Sequence, residues 1–198
     1  MIEKEFNVDY GIGKTIFIEN CNDLFAVNVP VEFFLRILHH CRKYPLNTYV
    51  FQTKNPMRML YGLDGLWPKN SIFGTTIETN RDLPSSISNA PRPYDRMRAM
   101  INIKGRKFLT LEPIMDFDVD ILAEWIAEIR PEFLNLGADS KRNNLPEPTA
   151  DKVFALAEKL LEYGIELRQK HNLTRLIGGE RAAEMTRLFE EKLKARAV

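Results

Sequence analysis

The sequence has little cysteine, no long apolar run and almost no excess charge of either sign. Cys21 and Cys41 are the only cysteines in 198 residues. That excludes a disulfide scaffold and a closed cysteine metal site, and it fits a reducing, cytoplasmic setting. No apolar run approaches the ~20 residues of a membrane-spanning helix. The opening MIEKEFNVDY has none of the apolar stretch of a secretory leader. The 28 basic and 27 acidic residues leave a net charge of +1, so no global field grips nucleic acid. Only the local basic loops Lys104–Lys107 and Lys141–Arg142 offer positive charge for that purpose. No dinucleotide glycine fingerprint follows the first apolar run, and no H-x-H or H-E-x-x-H spacing occurs. Internal repeats and low-complexity stretches are also missing.

What is present is a chain that is 44% apolar and 10% aromatic, enough for one sizeable core in a single domain spanning residues 1–198. Short β-type runs start at Thr15, Thr48, Ser71, Lys107, Glu132 and Gly164, ending at Ile18, Phe51, Ile77, Leu111, Leu136 and Leu167. Most are apolar on both faces, as in a parallel sheet covered on both sides. Helical spacing lies between them. Phe34, Leu35, Leu38 and Cys41 follow Pro30, and Met97, Met100 and Ile101 fall within 93–103. Ile121, Leu122, Trp125, Ile126 and Ile129 follow Asp118, which reads as their cap. Val153, Leu156, Ala157, Leu160 and Leu161 precede Gly164 as a stop. Met185, Leu188, Phe189 and Leu193 mark a last helix, with Glu180 and Glu184 near its start and Lys192, Lys194 and Arg196 at its end, the charge order a helix dipole favours. Strand–helix alternation predicts an α/β fold: about six parallel strands with right-handed crossover helices, a partial (β/α) barrel short of the eight units of a closed one.

Every apolar run ends in polar residues. The first ends in Glu19, Asn20, Cys21, Asn22 and Asp23, the second in Gln52–Asn55 with Lys54, and the third in Thr76, Glu78 and Asn80. The fourth ends in Glu112-Pro113, the fifth carries Asn135 and closes in Asp139, and the sixth ends in Arg168, Gln169, Lys170, His171 and Asn172. In a parallel sheet these ends form one rim, the place where α/β folds bind ligands. The pooled carboxylates, amides, lysines and histidine suit a small polar molecule bearing amino and carboxylate groups. Each residue taken singly also reads as ordinary loop or cap chemistry. Glu78 and Glu112 resist that reading best, because a carboxylate at the end of an apolar strand is costly to bury unpaired. His39 and His40 fall in a helical stretch and read as structural, and both cysteines read as inert buried thiols.

The ordered segments Asn22-Asp23-Leu24-Phe25, Thr53-Lys54-Asn55-Pro56, Gly74 to Asn80, Ala90-Pro91-Arg92-Pro93 with Arg96-Met97, and Leu111-Glu112-Pro113-Ile114-Met115 carry a resemblance. From Lys14 to Asn172 the chain resembles the radical S-adenosylmethionine superfamily, in the branch of spore photoproduct lyase-like proteins and uncharacterised relatives from bacteria and phages. The resemblance implies a partial barrel and an S-adenosylmethionine cofactor. It also implies a four-iron–four-sulfur cluster held by a C-x-x-x-C-x-x-C triad, from which a 5′-deoxyadenosyl radical is generated. This sequence has no such triad, and Glu19-Asn20-Cys21 stands where the family has glycine–glycine–glutamate. A cluster is therefore expected only with ligands from another segment or another chain. The resemblance implicates Glu19, Asn20, Asn22 and Asp23 in holding the amino group, and Thr76, Glu78 and Asn80 at the ribose. Glu112, Asn135, Asp139, Gln169 and His171 fall on the adenine and substrate side, with Lys54 facing a carboxylate or phosphate. Three explanations stay open: a fragment of a longer enzyme, a subunit whose partner chain covers the first-strand edge, or a degenerate relative acting as a non-catalytic binding module for a nucleoside, nucleic acid or protein. A divalent-ion site built from Asp23, Glu78, Glu112, Asp139 and His171 is a further alternative without supporting spacing.

Overall fold

A computed structural model describes residues 3–18, 22–61, 65–141 and 143–196. Glu19, Asn20, Cys21 and Arg142 lie outside the described residues, as do the side chains of Leu193 and Arg196. Six strands make one sheet: β1 (Thr15–Ile18), β2 (Thr48–Thr53), β3 (Ser71–Thr76), β4 (Arg106–Leu111), β5 (Phe133–Leu136) and β6 (Glu166–Gln169). Every pairing is parallel and the spatial order is the chain order, β1 through β6. The helices are α1 (Val31–Arg42), α2 (Pro93–Asn102), α3 (Val119–Ile129), α4 (Ala150–Glu162), α5 (Thr174–Ile177) and α6 (Gly179–Arg196). The alternation and the strand count expected from the sequence are both present. The sheet does not close into a barrel, and β1 and β6 are its edges.

Sequential order decides which face is covered. Right-handed crossovers that always step the same way put every crossover helix on one side of the sheet. On that side Tyr49, Phe51, Phe73, Leu109, Leu111, Leu134, Leu136 and Leu167 pack with α1 residues Phe34 and Leu38, α3 residues Leu122 and Ile126, and α4 residues Val153, Leu156 and Leu160. Burying each such aliphatic side chain stabilises the fold by about 1.5–3 kcal/mol. The other face carries no crossover helix; β3 and the second half of β4 are nonetheless buried on both faces, as expected, whereas the edge strands β1 and β6 are not. That face is lined instead by its own large rings. Phe108 lies over Gly74, stacks on Phe133 at 5.2 Å, and the Arg168 guanidinium sits 3.5 Å from the Phe133 ring centre.

Local chemistry moved three boundaries or contacts. The sixth strand starts at Glu166 rather than Gly164, because Gly164 (φ 72°) and Ile165 still close α4 through Gly164 N–H to Leu161 O and Ile165 N–H to Leu160 O. Asp118 precedes α3 but its carboxylate does not cap the helix, since Arg81 and Asn80 engage it instead. Leu35, placed by spacing on the buried stripe of α1, is 37% exposed, and Phe34, Leu38 and Cys41 make the contact. The N-terminal segment is pinned at the foot of the sheet and along α1. Asn47 accepts from Lys14 N–H and donates to Gly11 O, Glu3 pairs with Arg36, and Phe6 lies against His40. Among the described residues β1 pairs only with β2, so its outer edge has no strand partner.

Candidate functional site

The carboxyl ends of β3 and β4 supply the centre of the site. Thr76 and Thr110 are register partners, and Glu78 and Glu112 each stand two residues further along. Glu78 is 1% exposed, and a carboxylate held that deep needs cations around it. Lys54 from the end of β2 supplies one, with Nζ 2.5 Å from Glu78 Oε1. Arg96 from α2 supplies the other, with Nη1 2.7 Å from Glu78 Oε2. Arg96 is itself fully buried. Its Nε donates to Pro91 O and its Nη1 also donates to Thr76 O, so it fastens the loop before α2 to the strand end. Its Nη2 is buried and has no partner. Thr76 Oγ1 accepts from Gln52 Nε2 at 3.1 Å, extending this polar cluster to β2.

A second cluster stands on β4, β5 and β6. Asn172, just after β6, donates through Nδ2 to Glu112 Oε1 at 2.9 Å and to Ala138 O at 2.7 Å. Lys170 Nζ lies 3.6 Å from Glu112 Oε2. Gly137 makes the approach available, because a Cβ there would come within 2.8 Å of Asn172 Oδ1 and 2.9 Å of the Glu112 carboxylate. The Glu112–Pro113 peptide bond is cis. Asn172 Oδ1 is buried without a partner. The rim thus alternates sign along the sheet: Lys54, Glu78 and Arg96, then Glu112 and Lys170. An unpartnered donor and an unpartnered acceptor remain among them. Such a set offers both hydrogen-bonding carboxylate oxygens and ammonium donors side by side.

The remaining expected residues divide. Asn135 lies on the open face, in register with Thr110 and Arg168, one step below the second cluster. Asp23 has turned away from the rim space: its oxygens accept from Phe25 N–H at 2.9 Å and Lys54 N–H at 2.8 Å, so it orients the Lys54 backbone. Asn22 is exposed and lines a separate cavity beside β1. Asn80 belongs to an exposed network with Asp118, Arg81, Asp116 and Lys152. Asp139 is used by its own loop. Burial alone would raise its carboxyl, but the N–H groups of Lys141 and Asn143 and the Asn143 amide hold it below the usual carboxylate range. Gln169 alternates with Arg168 and shares the helix-covered side with Leu167, its Oε1 buried and unpartnered. His171 is exposed at the start of a short 3-10 turn, His171–Leu173. No group of three or more His, Cys, Asp or Glu among the described residues could hold a metal ion.

Asn172 ends the sixth run in the sequence reading without being set apart as a site residue, and spacing does not single out Arg96 or Gly137. Arg96 carries a usable signal, since it stands one turn into a helix opened by Pro93 directly after the loop from β3. Asn172 and Gly137 have meaning only once β4, β5 and β6 are adjacent. No helix among the described residues is long and apolar enough to cross a membrane. A family profile described as "Protein of unknown function (DUF5131)" matches residues 5–128. No curated protein and no solved structure matches the chain.

Proposed function

The chain belongs to the DUF5131 family, whose profile covers more than half of it and whose description gives no activity, so its function is read from its own side chains; we propose that the rim binds a small zwitterionic nucleoside of the S-adenosylmethionine class. In this reading the chain is the barrel portion of a radical S-adenosylmethionine-type enzyme, incomplete or inactive by itself. The observation that carries it is the pair of buried or half-buried carboxylates on adjacent strands, Glu78 and Glu112, each paired with its own cation beside an unpartnered polar atom. An amino group is met by the Glu112 carboxylate, and a carboxylate by Lys54 and Lys170, while buried Arg96 holds Glu78 in place. Asn135, Thr110 and Arg168 line the face below, where a sugar and a base would lie.

An iron–sulfur cluster does not fit the chain by itself. Cluster ligation takes several accessible thiolates. The whole sequence has two cysteines, and burial pushes the Cys41 thiol up to about 12. No catalytic step is therefore assigned to these residues. They bind and orient, and cluster ligands have to come from outside these 198 residues. The same rim also serves a non-catalytic receptor, which is the reading the cysteine shortage favours when no other chain contributes. Calorimetry with S-adenosylmethionine and S-adenosylhomocysteine tests the binding. Saturable binding of either, weakened tenfold or more by Glu112→Gln, is expected. Absence of binding by both at millimolar concentration overturns the proposal.

A further inference from the structure

A cavity of about 620 Å³ lies away from the charged rim, between β1, α1 and the N-terminal segment. Its size is that of a small-molecule site, since such clefts run from about 300 to 1,000 Å³. Aromatic rings make much of the wall: Phe6 and Tyr10 from the N-terminal segment, Phe33 and His40 from α1, and Tyr49 from β2. These rings form an organised group rather than a loose gap. Phe6 meets His40 edge-on at 5.2 Å, and Tyr10 meets both His40 and Tyr44 edge-on at 6.2 and 6.3 Å.

Two features say what chemistry would occupy it. The lining among the described residues includes Glu5 and Asp23 and no lysine or arginine. The charged groups in the wall are thus acidic, set among aromatic and aliphatic side chains, and Arg36, whose guanidinium stacks on Phe6 at 4.2 Å, is paired with Glu3; this lining favours a cation over an anion. His40 Nε2 is buried and has no hydrogen-bond partner. A buried polar atom left in that state is costly, so the ring presents its carbon face and edge to the cavity rather than a free nitrogen. Burial and the nearby Lys43 and His39 keep this imidazole neutral by lowering its pKa. The free amides of Asn22 and Asn28 stand at the exposed mouth.

We propose that this cavity is a second binding site, distinct from the rim carboxylates Glu78 and Glu112, for a small aromatic amine: a flat apolar ring held by Phe6, Tyr10 and His40, with a cationic head toward Glu5 and Asp23. Tryptamine is a suitable probe, because it offers a flat ring, a ring N–H and an ammonium. Indole-3-acetate keeps the ring and reverses the charge. Titration of the full chain followed by calorimetry and by amide NMR shifts is the test. Tryptamine is expected to bind saturably and at least tenfold more tightly than indole-3-acetate, with shifts confined to residues 5–10, 16–18, 22–29, 33–41 and 49 and the Lys54 amide that bonds Asp23. Ile37→Trp, which fills the cavity, should abolish the binding, and His40→Ala, which removes one ring of the wall, should weaken it several-fold. No saturable tryptamine binding, preference for indole-3-acetate, or shifts centred on Glu78, Arg96 and Glu112 overturns the proposal. The rim reading is unaffected by any of these results, because S-adenosylmethionine titration reports on different residues.

Discussion

Arg96 shows how much one side chain can decide. It is a fully buried guanidinium whose partners are Glu78, Thr76 O and Pro91 O, so it joins a strand end, a helix and the loop between them. Removing one member of a buried ion pair leaves the other charge uncompensated and costs about 3–5 kcal/mol. Arg96→Ala is expected to lower stability by that amount in urea unfolding, and a loss below about 1 kcal/mol would show that Lys54 alone suffices for Glu78. The carboxylates were legible in the sequence because an acid ending an apolar run asks for a partner. Their partners were only half legible. Lys54 lies at the end of β2, whereas Arg96 lies 18 residues beyond Glu78 and reaches it through the crossover. Asp23 and Asp139 had the same local signature as Glu78, yet backbone N–H groups satisfy them. Residue type and position do not distinguish a carboxylate that faces a ligand space from one that closes its own turn.

Between elements, the open face depends on close approach of strands through small residues. A Cβ on Gly74 would come within 2.1–2.7 Å of the Phe108 ring, and Phe108 in turn stacks on Phe133. Gly74→Ala therefore forces the ring out of its stack, an overpacking change worth about 1–3 kcal/mol. The loss should shrink in a Phe108→Leu background, as a double-mutant cycle by denaturant unfolding would show; equal losses in both backgrounds would mean that the ring is not what Gly74 accommodates. The strand–helix alternation was legible because each element carries its own periodicity. The start of β6 was not: Gly164 and Ile165 read as strand residues, but their N–H groups are claimed by the last turn of α4. Asp118 likewise reads as a cap and is taken by Arg81, 37 residues away.

For the whole molecule, pH stability follows from which groups the fold withholds from water. Cys41 is 3% exposed and its thiol is pushed up from 9.0 to about 12 by burial. Between those values the folded chain keeps a proton that the unfolded chain releases, so stability falls as pH rises through that window. Cys41→Ala is expected to remove this part of the alkaline decline in urea midpoints measured from pH 8 to 11. An unchanged slope would show that the thiol is not shielded as the packing implies. The same thiol should resist modification at pH 8 in a Cys21→Ser background until the chain unfolds.

The sequence by itself determined that the chain alternates strand and helix about six times, that one core suffices, and that charged and amide groups follow each strand, since these depend on local periodicity and composition. Only the tertiary structure decided that the crossover helices lie on one side, that the sheet stays open, and that Glu78 and Glu112, rather than Asp23, Asp139 or His171, hold the centre of the rim. The reason is that strand order and crossover hand are choices about distant segments. Which polar group meets another, and which meets only its own backbone, is settled by the few ångströms between neighbouring strands.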